Sequence, residues 1–63
     1  MEIKEVIPNL NKPVIFRNSK YTLRGSIVRK SEEDNLVYFA ELLDTNGRSI
    51  VIAKLSDIER GDG

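Results

Sequence analysis

The sequence predicts a small all-β domain of four or five short antiparallel strands that close on themselves as a barrel or sandwich. Three observations predict it. Asn35 to Lys54 reads NLVYFAELLDTNGRSIVIAK, two β-favouring runs joined through Asn46-Gly47, which between such runs is the strongest short-range hairpin signal. Tyr21 to Lys30 (YTLRGSIVRK) alternates with the period of a half-buried strand. Turn-forming clusters separate these runs at the ~8–12-residue spacing of small all-β domains.

Residues 1–12 form an N-terminal arm or helical turn. Ile3, Val6, Ile7 and Leu10 stand at helical spacing, but Pro8 disfavours helical geometry at Ile7, so a helical turn is expected to end before it. An extended arm is the alternative, and Ile3 and Val6 are expected to pack on the barrel either way. Pro13 to Asn18 reads as a first strand, with proline at its start where no ladder donor is needed. A tight turn is expected at Asn18-Ser19-Lys20.

In the next strand strict alternation places Tyr21, Leu23, Gly25 and Ile27 inward and Thr22, Arg24, Ser26 and Val28 outward, with Gly25 marking a bend or bulge. Ser31 to Asp34 is a charged turn. The following hairpin has two registers. A two-residue turn at Asn46-Gly47 sets Leu43 opposite Ile50 and Glu41 opposite Ile52. A three-residue loop, Thr45-Asn46-Gly47, pairs Asp44 with Arg48, Leu42 with Ile50 and Ala40 with Ile52. The second is preferred, because it gathers Leu36, Tyr38, Ala40, Leu42, Ile50 and Ile52 on one inner face. Val37, Phe39, Glu41, Leu43, Ser49, Val51 and Ala53 then lie outside. Beyond Leu55, a helical turn from Ser56 or Asp57, or a fifth short strand over Asp57 to Arg60, completes the domain at residues 13–60. Residues 61–63 are expected to fray.

This order of parts resembles the SH3-like small β-barrels and, loosely in layout, their Sm-like group. The resemblance rests on Lys12-Pro13-Val14-Ile15-Phe16 after an N-terminal element, then on a bent strand with Tyr21 and Gly25, and covers roughly residues 10–60. It implies the barrel. The RNA-contacting turn of the Sm group has only Glu33-Asp34-Asn35 as a counterpart, and Arg60-Gly61 is followed by no strand that would build the ring-forming edge. The RNA-binding ring is therefore not carried over.

Composition narrows the function. At 63 residues, a single core gives marginal stability, and with no cysteine or histidine there is no disulfide and no ordinary zinc ligand set to reinforce it. Extra burial then comes from oligomerisation or a partner. Neither a cofactor nor a small-molecule substrate is indicated, and no phosphate-cradling glycine loop is present. Glu41, the one acid embedded in an apolar strand, reads as an exposed or cross-strand-paired residue in preference to a catalytic one. The chain is not expected to be an enzyme. Without a signal-peptide pattern or a run approaching ~18 apolar residues, it is expected to be cytoplasmic.

Two surfaces remain as candidates. Val37, Phe39, Leu43 and Val51 form a second apolar face, which either residues 1–10 or the C-terminal turn cover, or a protein partner or second copy meets. The charge is zero overall but uneven, +5 over residues 1–30 and −5 over residues 31–63. Arg17, Lys20, Arg24 and Arg29 in the basic half, with Lys30 at the strand end, are the alternative, a nucleic-acid surface. The favoured reading is a binding module working by protein contact or homo-oligomerisation.

Overall fold

The computed structural model describes residues 1–61 and contains five strands and three single 3₁₀ turns, with no α-helix among them. The strands are β1 (Pro13–Phe16), β2 (Ser19–Lys30), β3 (Leu36–Leu43), β4 (Ile50–Lys54) and β5 (Glu59–Arg60). They make one antiparallel sheet in the order β4-β3-β2-β1-β5. Its two ends, β4 and β5, share no ladder, so the sheet is open.

The arm consists of two successive 3₁₀ turns, Ile3–Glu5 and Ile7–Asn9. Pro8 does not terminate the helical segment as expected. It occupies a first-turn position where the amide that proline lacks has no helical acceptor to bond. Val6 joins the core while Ile3 stays 41% exposed, so only one of the two expected anchors is buried. The Met1 amino group donates to the carbonyls of Ile58 and Leu55, at 2.7 and 3.2 Å, and holds the arm on the core side of the sheet.

β1 and β2 join through Arg17 and Asn18, one residue earlier than the expected turn. Both have positive φ (50° and 63°), as a two-residue hairpin turn matched to the strand twist requires, and Phe16 pairs with Ser19. At Leu23 the backbone is diverted. Its amide donates to the Lys12 carbonyl, its carbonyl accepts from Asn11, and the β2–β3 register slips by one residue between Leu23 and Gly25. Arg24 is the extra residue of this bulge. Alternation is therefore reversed beyond it: Ser26 and Val28 follow Leu23 on the core side, while Gly25 and Ile27 follow Thr22 outside. That corrects the expected inward placement of Gly25 and Ile27.

The β3–β4 hairpin corrects the preferred register. Leu43 pairs with Ile50, Leu42 with Val51, Glu41 with Ile52 and Ala40 with Ala53. These are the pairs of the other register, closed by a longer loop, Thr45 to Arg48. The Asp44 amide donates to the Ser49 carbonyl, the Gly47 amide to the Asp44 carbonyl, and the Arg48 amide to Asp44 Oδ1 at 3.0 Å. Gly47 takes φ 70°. The Asp44 carboxylate thus satisfies a loop amide and makes no ion pair with the Arg48 side chain. Val51 and Ala53 turn inward as a result, and Ile50 and Ile52 outward.

The core lies on one side of the sheet. It comprises Val6, Val14, Leu23, Ala40, Leu42, Ala53, Leu55 and Ile58, with Met1, Phe16, Tyr21, Tyr38 and Val51 packed around it. Both expectations for the last segment are met together, since a 3₁₀ turn at Leu55–Asp57 precedes β5, which pairs with β1. Leu55 and Ile58 seal the core from the turn. Gly61 donates to the Pro13 carbonyl at 3.1 Å and is not frayed, while the rest of the expected tail, residues 62 and 63, lies outside the described residues. No helix among the described residues is long and apolar enough to cross a membrane.

Candidate functional site: the outer face of the sheet

The register places four residues of β3 on the side of the sheet away from the core: Val37, Phe39, Glu41 and Leu43. Across the ladders they meet Arg29, Ile27, Gly25 and Thr22 of β2, and Phe39, Glu41 and Leu43 also meet Lys54, Ile52 and Ile50 of β4. Ile27, Val37, Phe39 and Leu43 are half-buried by their neighbours alone. Ile50 and Ile52 remain 52% and 47% exposed. Together these two leave about one whole isoleucine uncovered, so covering both contributes about 1.5–3 kcal/mol. A 63-residue chain has a total stability of about 3–9 kcal/mol, so this contribution is large.

Residue sizes on the two sides of the sheet run against the usual expectation. The core-side ladder through its middle is Ser26, Ala40 and Ala53, all small. The large residues at neighbouring levels, Ile27, Phe39 and Ile52, point outward. Small inner residues let the arm and the Leu55 turn pack close to the sheet, and the Ser26 hydroxyl, not free to sit unpaired there, donates to the Phe39 carbonyl at 2.9 Å. Leu23, Leu42, Phe16, Tyr21 and Tyr38 fill the core side elsewhere, but at this level the chain commits its bulky side chains to the solvent side. Residues 1–10 do not cover them, because Val6 and the Met1 amino group are engaged on the core side. The arm borders the face only at its Val37 end, where Met1, Ile3, Leu36, Val37, Tyr38 and Leu55 line an open groove of about 370 Å³.

Of the expected interface residues, Val37, Phe39 and Leu43 are together on this face. Val51 is not: the hairpin register turns it toward Leu42 and the core. Ile27, Ile50 and Ile52 take its place, hidden from the sequence by the Arg24 bulge and the loop at Asp44. Arg29, Glu41 and Lys54 interrupt the apolar surface. The Arg29 guanidinium lies over the Phe39 ring, 5.6 Å from its centroid. Glu41 lies across Gly25, where an added Cβ would come 2.9 Å from Glu41 Oε1, so the glycine gives the carboxylate its seat.

The basic residues are more dispersed. Arg17 sits in the β1–β2 turn with its guanidinium 5.1 Å from the Phe16 ring centroid. Lys20 is exposed opposite Ile15. Arg24, at the bulge, donates to Asn11 Oδ1, and Arg29 stands toward the far end of β2 over Phe39. Phe39 thus lies under Arg29 on the outer face, while Phe16 and Tyr21 pack tilted on each other at 6.1 Å against the core. Tyr38 likewise packs on the core. Comparison with known protein families, with curated proteins and with solved structures finds no match to this chain.

Proposed function

We propose that this chain is a non-enzymatic binding module that works through protein contact, by association of copies or with another protein, and that the contact surface is the outer face centred on Phe39. The observation that carries the reading is the set of large apolar residues on the outer face, Ile27, Phe39, Leu43, Ile50 and Ile52, standing over small Ser26, Ala40 and Ala53 in the middle of the sheet. A contiguous apolar surface of this kind is the usual mark of an interaction site. The absence of histidine and cysteine supports placing no catalysis here. We read the curled sheet as an open relative of the SH3-like barrel. The bulge at Arg24 and the 3₁₀ turn that carries the chain from β4 to β5 support that reading.

The nucleic-acid alternative draws less support from the geometry. Arg17 and Arg24 already make contacts within the chain, and the core-packed tyrosines offer little face for stacking bases. Light scattering over a dilution series tests the proposal. The wild-type chain gains mass as concentration rises, and Phe39→Glu shifts that gain to higher concentration. A strict monomer whose Phe39→Glu variant is equally soluble and stable would sink the reading.

A further inference from the structure

We infer that the free edge of β4 is a strand-addition site, and that its occupant is β4 of a second copy paired antiparallel about a two-fold axis at Ile52. The inference rests on the protein-contact reading above and names the partner and the mode of contact. It starts from the direction of the backbone groups. Asp44 and Ser49 are hydrogen-bonded, and antiparallel ladders alternate bonded and non-bonded pairs. The Leu42–Val51 and Ala40–Ala53 pairs are then the bonded ones, and the amides and carbonyls of Ile50, Ile52 and Lys54 point away from β3. Among the described residues no strand pairs with that edge.

The two edges of the sheet differ in their protection. β5 is two residues long, and both of them, Glu59 and Arg60, are exposed and charged, which discourages pairing. β4 reads Ile-Val-Ile-Ala-Lys, with no proline and a single charge at its end. Edges of this kind recruit strands.

A second copy fits this edge by symmetry. With Ile52 opposite Ile52 of the second copy, Ile50 stands opposite its Lys54 and Val51 opposite its Ala53. Every outward-pointing amide and carbonyl then meets a partner, and a large residue faces a small one on the core side. The two Lys54 ammonium groups fall at opposite ends of the seam, about 14 Å apart along the strands, beyond the ~8 Å screening length at physiological salt. A parallel arrangement would instead stack them. The same register brings the Arg48 end of one hairpin level with Ser56 and Asp57 of the other, opposite charges at both ends of the seam. Zero net charge removes long-range repulsion between copies. The outer faces join across the seam with four isoleucines at its centre.

The test reads backbone amides by NMR hydrogen exchange at about 10 µM and about 1 mM protein, together with light scattering of wild type, Ile52→Pro and Phe39→Glu. Proline at position 52 removes an edge donor without removing a β3–β4 hydrogen bond, so the fold is expected to survive it. The expected result is protection of the Ile50, Ile52 and Lys54 amides that rises at least tenfold with concentration, while Val51 and Ala53 are protected throughout. Ile52→Pro is expected to stay monomeric. Association in which those edge amides exchange fast and Ile52→Pro still gains mass would overturn the inference. Loss of that association in Phe39→Glu would then leave the face reading standing, and its retention would remove both. A wild-type chain that is monomeric at 1 mM overturns the inference outright. If Ile52→Pro does not fold, the concentration dependence of the three edge amides decides alone.

Discussion

The side to which each β4 residue points decides what surface the protein presents, and lysine substitution at two neighbouring positions reads it directly. Ile52 lies outside, opposite Glu41, and is already 47% exposed. Ile52→Lys gives up about half of an isoleucine's burial, about 1–1.5 kcal/mol, and gains a cross-strand Lys–Glu pair of about 0.2–1 kcal/mol. The net loss is about 1 kcal/mol or less. Val51 packs against the core beside Leu42. Val51→Lys loses the valine's burial, about 1.5 kcal/mol or more, and sets an ammonium group against an apolar core without a partner, bringing the total to about 3 kcal/mol or more. Against a stability of about 3–9 kcal/mol that loss is between about a third and the whole of it. At ~4–8 °C per kcal/mol the two melting temperatures should differ by about 10 °C or more. Thermal and urea denaturation followed by circular dichroism make the comparison, at low micromolar protein so that association adds no stability of its own. If Ile52→Lys were the more damaging of the two, the three-residue-loop register would be the true one and the outer face would have to be redrawn.

Other expectations follow from single observations. Leu42 is fully buried, so Leu42→Ala should cost about 2–5 kcal/mol in urea denaturation, and a cost below ~1 kcal/mol would move the core elsewhere. An added Cβ at Gly61 would stand 2.8 Å from the Pro13 carbonyl oxygen and 2.9 Å from its carbon. Because both are backbone atoms, Gly61→Ala should displace β5 and cost about 1–3 kcal/mol, seen as faster exchange of the Gly61-position amide and a lower melting temperature. Asp44→Ala leaves the Arg48 amide without its side-chain acceptor and should cost about 1 kcal/mol, with loss of hairpin amide protection. Arg24→Ala, which removes only the exposed bond to Asn11, should stay within about 1 kcal/mol of wild type. Deleting Arg24 removes the bulge and leaves Leu23 and Gly25 in regular alternation opposite Leu42 and Glu41, so the unfolding transition should stay cooperative, with the loss confined to the Leu23 contacts to Asn11 and Lys12.

The strands themselves were legible because their signals are local. Alternation marked β2, Asn46-Gly47 marked the hairpin, and Pro13 marked the start of β1. What could not be read was the parity of residues beyond each irregularity. A bulge leaves no periodic trace: Arg24 becomes the extra residue because Leu23 bonds to Asn11 and Lys12, a contact between segments that alternation within β2 does not register. The β4 register was undecidable for a related reason. Ile50, Val51, Ile52 and Ala53 supply two apolar residues to each side in either register, so patterning is satisfied both ways. The decision falls to Asp44, whose carboxylate accepts the Arg48 amide and stabilises the wider loop. Side-chain chemistry at one position thus decides between registers that the apolar pattern leaves equal.

Both departures act in the same direction. The bulge moves Ile27 from the expected core to the outside and Ser26 and Val28 inward, and the wider loop moves Ile50 and Ile52 outward and Val51 and Ala53 inward. The parity of β3, which carries Val37, Phe39 and Leu43, is untouched because β3 is the strand against which both neighbours are counted. The outer surface therefore gains three isoleucines in exchange for two valines and an alanine, and it grows around the same centre. Its growth has a consequence at the edge. In antiparallel pairing, the residues whose side chains point to one face of an edge strand share one direction of backbone hydrogen bonding. In β4 the outward side chains, Ile50, Ile52 and Lys54, belong to the same residues whose amides and carbonyls are free. With the other register the bonded pairs would have been Asp44–Arg48, Leu42–Ile50 and Ala40–Ile52, and the free backbone groups would have belonged to Ser49, Val51 and Ala53, a less apolar outward edge. The loop at Asp44 thus sets Ile50 and Ile52 at the open edge, so that a strand docking on β4 satisfies the free backbone groups and extends the apolar face in one step.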